Sequence, residues 1–255
     1  MRTLILGGGG ARGYAHIGFV KLLEEEGIIP DLIVGTSFGA LVGGFYCAGF
    51  SGQKIGAIAS RITLFDKLIL FLPSPSKTGI AGGNIYRFLS HYLGEKRIED
   101  GQINFAAVAV DLERWEEVVI TNGRLVDAIY ASITIPVIIV PRRFNGRLLI
   151  DGGMIAPLPI RAARRVGAER IVAVNVLPRK GRKGKGSLPG IFLQAFDIMT
   201  MVLIEHQLED LGGGLLIDID PGIRMDQFER AEAAITAGYR AAKKALDQIK
   251  RVFKI

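Results

Sequence analysis

Short apolar runs alternate with longer stretches in which hydrophobic residues recur at helical spacing. The apolar runs predict strands at Arg2–Leu6, Leu32–Val34, Ile103–Val110, Glu117–Thr121, Val137–Phe144, Arg147–Ile150, Arg170–Val176 and Leu215–Ile219. Helices are predicted over residues 14–26, directly after residue 37, after Asn122-Gly123, and at 159–166, 188–211 and 226–251. Such alternation predicts an α/β fold with a mostly parallel central sheet flanked by helices on both faces. We expect residues 1–255 to form a single domain.

The strongly apolar segment Ile62–Leu72 has two interpretations. At 11 residues it is too short to span a bilayer. A buried helix is the first interpretation, and a lid or lipid-contacting segment is the second, because the following residues 73–83 are rich in Pro and Gly.

Composition and charge narrow the class of protein. Apolar residues make up 49% of the chain and charged residues 22%, which is typical of a globular protein. The net charge of +7 favours anionic surfaces, and the basic residues are densest in Arg179–Lys185. No aromatic residue interrupts that stretch, which argues against single-stranded nucleic acid as the partner. A solvated loop is one interpretation of it, and contact with an anionic membrane surface is the other hypothesis.

The single cysteine, Cys47, cannot form an intrachain disulfide, which fits a reducing compartment. The apolar run Leu4–Leu6 is too short to be the core of a signal peptide. We therefore expect a cytoplasmic protein, with peripheral contact to the inner membrane surface as an additional hypothesis.

The first chemical motif is GTSFG at residues 35–39, between a predicted strand and a helix of small residues. In a tight strand-to-helix turn the serine hydroxyl is pushed outward, and Gly35 and Gly39 lack the Cβ atoms that would clash. The positive end of the following helix would favour an oxyanion beside Ser37. Ser37 is therefore a candidate nucleophile. The alternative is a plain turn in which Ser37 caps the helix.

The second motif is the glycine-rich loop GGGGARG at residues 7–13, directly after the first strand. It matches GxGxxG, as in a dinucleotide site, but the second strand ends in GTS where such a site needs an acid. A second possibility is that glycine amides converge to form an oxyanion hole, with positive charge from Arg12 nearby. A structural turn is the third.

A serine nucleophile needs a proton acceptor, and Asp151 in Asp151-Gly152-Gly153 follows a predicted strand. His206 would complete a triad in chain order, but it lies in a predicted helix rather than on a loop. Asp111, which closes another strand, is a rival carboxylate, and His16 fits a hydrogen-bonded helix residue. A Ser37–Asp151 dyad remains, and it requires burial to raise the aspartate pKa from its usual value of about 3.9.

Together GGGGARG, GTSFG and DGG resemble the patatin-like phospholipase family, and the accompanying segments HIGFVKLLEE, ASITIP and LPIRAARRVGAERIVAVNV are similar to it. The resemblance implies a serine hydrolase that cleaves lipid acyl esters without a metal or organic cofactor. It carries over Ser37 as nucleophile, Asp151 as proton acceptor, and Gly8, Gly9, Gly10 and Arg12 as the oxyanion region. Ala156 departs from the family, which often has asparagine there. The rival hypotheses are a non-enzymatic lipid or protein binder of the same fold and a nucleotide-binding module.

Overall fold

The computed structural model describes residues 1–61, 82–177, 186 and 188–255. The predicted helix or lid at Ile62–Leu72 and the basic stretch Arg179–Lys185 lie outside the described residues.

The described strands form one eight-stranded sheet in the order β5-β6-β3-β2-β1-β7-β8, with β4 paired to β3. They are β1 (Arg2–Leu6), β2 (Leu32–Thr36), β3 (Asn104–Asp111), β4 (Glu116–Ile120), β5 (Arg142–Phe144), β6 (Arg147–Asp151), β7 (Arg170–Asn175) and β8 (Leu215–Asp218). Strands β8, β7, β1, β2 and β3 are parallel, and the pairs β3–β4, β3–β6 and β5–β6 are antiparallel. The predicted mostly parallel sheet is confirmed.

Helices cover both faces of the sheet, as predicted. They are α1 (Tyr14–Glu25), α2 (Phe38–Cys47), α3 (Gly52–Arg61), α4 (Gly83–Leu93), α5 (Leu125–Ser132), α6 (Ile160–Arg165), α7 (Leu188–Leu208), α8 (Ala231–Lys244) and α9 (Leu246–Phe253). Alternate side chains of each strand point to opposite faces. Leu4 and Leu6 of β1 accordingly join the core beneath α1–α5, α8 and α9, whereas Ile5 joins the core beneath α6 and α7.

Two sequence predictions need correction. The predicted strand Val137–Phe144 forms only at Arg142–Phe144, because Val137 has φ +72°, outside the strand region. The single C-terminal helix is two helices, because the chain turns at Ala245 (φ −94°, ψ 4°), whose N–H is shared between the Ala241 and Ala242 carbonyls.

The register along β3 determines where β2 and β6 end. Ala109 of β3 is paired with both β4 and Asp151 of β6, and Ala107 is paired with both β4 and Gly35 of β2. Because the two partners of a strand residue lie on opposite edges, β2 and β6 share one edge of β3, and β4 occupies the other. β2 runs parallel to β3 and β6 runs antiparallel, so the carboxyl ends of β2 and β6 meet.

The helix that follows the glycine-rich loop is held by a close helix crossing. A Cβ atom at Gly18 of α1 would overlap the Ile235 carbonyl of α8, and one at Gly238 of α8 would overlap the Ala15 carbonyl of α1. The two backbones therefore approach more closely than any side chain allows. This contact fixes α1, and with it the end of the glycine-rich loop that leads into α1.

Gly18→Ala should lower the free energy of unfolding by about 2 kcal/mol, since the new methyl group must force α1 and α8 apart. Thermal unfolding followed by circular dichroism would measure the change. Gly56→Ala in α3 is the matched control. At Gly56 the atom nearest to a new Cβ is 3.6 Å away, so the substitution should raise the free energy of unfolding by about 0.5–1 kcal/mol. Equal melting temperatures for the two variants would contradict this account of the crossing.

Candidate active site

Ser37 lies where β2 turns into α2, with φ 54° and ψ −124°. Positive φ is uncommon for a residue other than glycine and is sustained only where surrounding contacts impose it. The Ser37 side chain makes no capping hydrogen bond to α2. Instead its Oγ donates to Oδ2 of Asp151 at 2.6 Å. The alternative in which Ser37 serves as a helix cap is therefore not what the structure contains.

Gly35 and Gly39 leave space for this turn. A Cβ atom at Gly35 would lie 2.6 Å from the Cα of Ala40, and one at Gly39 would overlap the Leu6 carbonyl oxygen. Gly152, after Asp151, lies equally close to β3, because a Cβ there would overlap the Val108 carbonyl. All three positions require glycine for steric reasons.

Asp151 ends β6 and is 1% exposed. Oδ1 accepts the Gly153 N–H at 2.7 Å, Oδ2 accepts the Ser37 hydroxyl, and the Asp151 N–H donates to the Thr134 carbonyl at 2.9 Å. Within the described ranges no lysine, arginine or histidine forms an ion pair with this carboxyl group. Burial raises the Asp151 pKa to about 7, although its two hydrogen bonds act in the opposite direction.

Side chains from neighbouring elements hold the backbone around the pair. The Ser37 N–H donates to Oγ of Ser132 at 2.9 Å, and the Ser132 hydroxyl donates to the Val108 carbonyl at 2.6 Å. The Thr36 hydroxyl donates to the Ala156 carbonyl at 2.8 Å. That contact uses only the backbone of residue 156, so it does not depend on the side chain at which this sequence departs from the family.

The glycine-rich loop lies directly over Ser37, since a Cβ atom at Gly8 would be 3.3 Å from the Ser37 Cβ. The Gly8 N–H already donates to the Pro157 carbonyl at 2.8 Å. Among the described residues no acceptor is found for the N–H groups of Gly9 and Gly10. The Gly8 N–H is therefore occupied by a protein carbonyl in this structure, and the oxyanion role expected of Gly8, Gly9 and Gly10 stays a prediction.

Arg12 does not point a free guanidinium at the serine. It is 1% exposed, its Nε donates to the Gly9 carbonyl at 3.1 Å, and its terminal nitrogens form a bidentate ion pair with Asp197 of α7. Arg12 thus ties the loop to α7, and the positive charge expected near the oxyanion region is paired with Asp197. Sequence reasoning missed Asp197. The available signal was a lone acid in the apolar residues 188–204.

The other candidate acids and bases, His16, His206 and Asp111, form no hydrogen bond with Ser37 among the described contacts. His16 is fully buried with Nε2 2.8 Å from the Gly7 carbonyl, and burial lowers its pKa to about 4, which keeps it neutral. His206 is exposed on α7. Asp111 accepts the N–H groups of Glu113 and Arg114 in the turn after β3.

A cavity of about 380 Å³ opens beside Ser37. Of its described lining side chains, Ser37, Tyr14 and Asp226 are polar, and the rest come from apolar residues of α1–α4 and α7 and of the loops after α5 and β8. A volume of this size is within the range of small-molecule sites. Its walls suit an extended hydrocarbon group with its polar end at Ser37. Across the described part of the chain, no three His, Cys, Asp or Glu side chains come together as a metal site.

The family model for patatin-like phospholipases matches residues 4–164. An uncharacterized NTE family protein of Mycobacterium tuberculosis is 38% identical over 190 residues, which are 74% of this chain and 52% of that protein. The lysophospholipase NTE1 of Saccharomyces cerevisiae is 32% identical over 177 residues, which are 68% of this chain and 10% of that protein. The chain thus spans about half or less of the length of these relatives.

The crystal structure of VipD from Legionella pneumophila aligns with a TM-score of 0.55 and 15% identity, over 97% of this chain and 67% of that one. At this identity the alignment supports the fold alone.

Asp151→Asn should raise the melting temperature at pH 8 by about 2 °C or more. An unfolded aspartate titrates near 3.8, whereas Asp151 titrates near 7. Between these values the folded state holds a proton that the unfolded state has released, so this group lowers stability as pH rises towards 7. The gain from asparagine should therefore be largest above pH 7 and smaller at pH 5.

Calorimetry at both pH values would measure the gain. Asp111→Asn is the control, because that buried side chain caps a turn, and its substitution should not stabilise the protein. A gain from Asp151→Asn that is independent of pH would contradict the role assigned to burial.

Proposed function

This chain belongs to the patatin-like phospholipase family, and from that premise we propose that it is a serine acyl hydrolase that cleaves carboxylic esters of lipids. The observation that carries the proposal is the 2.6 Å hydrogen bond from Ser37 Oγ to a buried carboxylate, at the mouth of an apolar cavity. Ser37 is the nucleophile and Asp151 the proton acceptor.

In the first step Ser37 Oγ attacks the ester carbonyl carbon while its proton passes to Asp151 Oδ2. The carbonyl oxygen becomes an oxyanion, which the N–H groups of Gly9 and Gly10 and the N-terminus of α2 stabilise in this proposal. The intermediate collapses by breaking the bond to the alcohol. The alcohol leaves with the proton held by Asp151, and the acyl group stays on Ser37.

In the second step Asp151, now ionised, takes a proton from water, and the resulting hydroxide attacks the acyl-serine carbonyl. A second tetrahedral oxyanion forms at the same amides. This intermediate collapses by breaking the bond between the acyl carbon and Ser37 Oγ; Asp151 gives its proton to Oγ, and the carboxylic acid is released. A base whose pKa lies near 7 suits both directions of proton transfer at neutral pH.

The cavity supports a lipid acyl chain as the part of the substrate that is bound. Its lining offers few polar groups, so a sugar or a nucleotide would lose hydrogen bonds to water there without replacement. The yeast relative is named a lysophospholipase, which fits an ester of one acyl chain. A cytoplasmic location, with contact to an anionic membrane surface, is part of the same proposal.

The rival functions differ in measurable ways. A nucleotide-binding loop needs several free amides, but those of Gly7, Gly8 and Ala11 are bonded to protein carbonyls. A non-enzymatic binder of the same fold would take up lipid without releasing a carboxylic acid.

Ser37→Ala and Asp151→Asn should each lower ester turnover by about a thousandfold or more, because each removes one half of the proton-transfer pair. Release of acid from a soluble p-nitrophenyl ester would measure turnover. A fluorophosphonate should label the wild-type protein at Ser37 and leave Ser37→Ala unlabelled. Ser51→Ala is the control, since that hydroxyl accepts only the Lys54 N–H at the start of α3. Full turnover by Ser37→Ala would reject the mechanism.

The pH dependence of kcat/KM should follow Asp151. Below about pH 7 the carboxyl group is protonated and cannot accept the serine proton, so the rate should rise about tenfold per pH unit and level off above 7. Initial rates from pH 5 to 9 would show this limb, with circular dichroism confirming that the protein stays folded. A flat profile across pH 5–7 would exclude a base with this pKa.

A further inference from the structure

The outward face of α7 is apolar. Five large hydrophobic side chains between residues 191 and 202 are exposed, with exposed fractions from 38% for Phe192 to 57% for Ile198. They are Ile191, Phe192, Ile198, Met199 and Val202, and we call them the α7 face. Exposed apolar residues are common one at a time, whereas a contiguous row on one helix marks an interaction site.

The inward face of the same helix carries buried or half-buried polar side chains, whereas Gln194, Glu205 and His206 are exposed. Asp197 pairs with Arg12 and Thr200 is 2% exposed. Gln207 accepts the Leu158 N–H at 3.0 Å and donates to the Ile155 carbonyl at 2.9 Å. A helix whose outer side meets water has the opposite arrangement. The sequence of α7 therefore suits an outer neighbour that is apolar.

The α7 face adjoins the substrate cavity. Leu193, one residue after Phe192 on α7, lines that cavity. Val137 is 72% exposed, and its neighbours Ile135 and Ile138 line the same cavity. Exposed apolar groups thus occur on two separate segments, each of which also contributes to the cavity wall.

We propose that the α7 face is the surface by which this protein docks on a lipid layer, lying in the interface with Ser37 directed at the lipid. The choice of lipid as partner rests on the proposed function, since an acyl chain could then pass from the layer into the cavity without crossing water. An amphipathic helix with a row of large apolar residues buries that row at the boundary of headgroups and acyl chains.

Two other occupants of this surface fit less well. A stable dimer buries about 800 Å² on each partner. Five half-exposed side chains, each offering on the order of 100 Å² or less, fall short of this. Among the described residues one helical stretch, Gly190–Leu211, is long and apolar enough to cross a membrane. Its Asp197 and Gln207 are bound to the protein, which favours a helix that lies on the layer over one that spans it.

The test compares the wild-type chain with the triple variant Ile198→Gln, Met199→Gln, Val202→Gln. None of these three side chains lines the cavity. Flotation with neutral phosphatidylcholine vesicles in high salt would measure docking without the attraction of basic residues for anionic lipid. The variant should lose vesicle binding by more than about tenfold and keep its rate on a soluble p-nitrophenyl ester. Ile29→Gln is the matched control, because Ile29 is 52% exposed and precedes β2 at the other end of the sheet.

Several outcomes would overturn the proposal: equal vesicle binding by wild type and triple variant, no binding by either, or loss of binding in Ile29→Gln alone. A concentration-dependent dimer in sedimentation that the triple variant abolishes would assign the α7 face to a second copy. Resistance of the wild type to carbonate extraction would indicate a spanning helix.

The same experiments separate docking from catalysis. Ser37→Ala should bind vesicles as the wild type does. Vesicle binding through the α7 face without turnover of any ester would reject the hydrolase and retain the docking surface. Turnover of the soluble ester without vesicle binding would reject the docking surface and retain the hydrolase.

Discussion

The hydrogen bond between Ser37 and Asp151 depends on one feature of the sheet: β2 and β6 occupy the same edge of β3 and end facing each other. Burying a charged carboxylate without a cation is costly. Burial therefore raises the pKa of Asp151 to about 7, although the hydrogen bonds from Ser37 and Gly153 lower it. The sheet imposes this arrangement because its strands are held by backbone hydrogen bonds along their whole length. The aspartate therefore becomes a better base than any exposed carboxylate.

The glycine-rich loop is positioned by contacts to three different segments. Pro157, after β6, accepts the Gly8 N–H, Met225 accepts the Ala11 N–H, and Asp197 of α7 holds Arg12. Each contact removes a hydrogen-bonding group from the loop. Among the described residues, the amides of Gly9 and Gly10 are the ones in this loop for which no acceptor is found.

Helix α7 contacts the candidate active site on one side and the solvent on the other. Its inner side supplies Asp197 to the loop and Leu193 to the cavity, whereas its outer side exposes a row of hydrophobic residues. A single helix therefore borders the glycine-rich loop, the apolar cavity and the solvent. A lipid layer on its outer face would lie against the same helix that lines the cavity, which is why we propose it as the partner.

Local sequence determined the strands, most of the helices and the serine turn, because apolar periodicity and glycine sterics act over a few residues. It also singled out Asp151, which the structure places beside Ser37. Only the tertiary structure decided which amides stay free, where Arg12 points and that Val137 leaves the strand. The free amides and the direction of Arg12 depend on partners far away in the chain: Pro157 for Gly8, Met225 for Ala11 and, 185 residues from Arg12, Asp197. No local pattern encodes such distances.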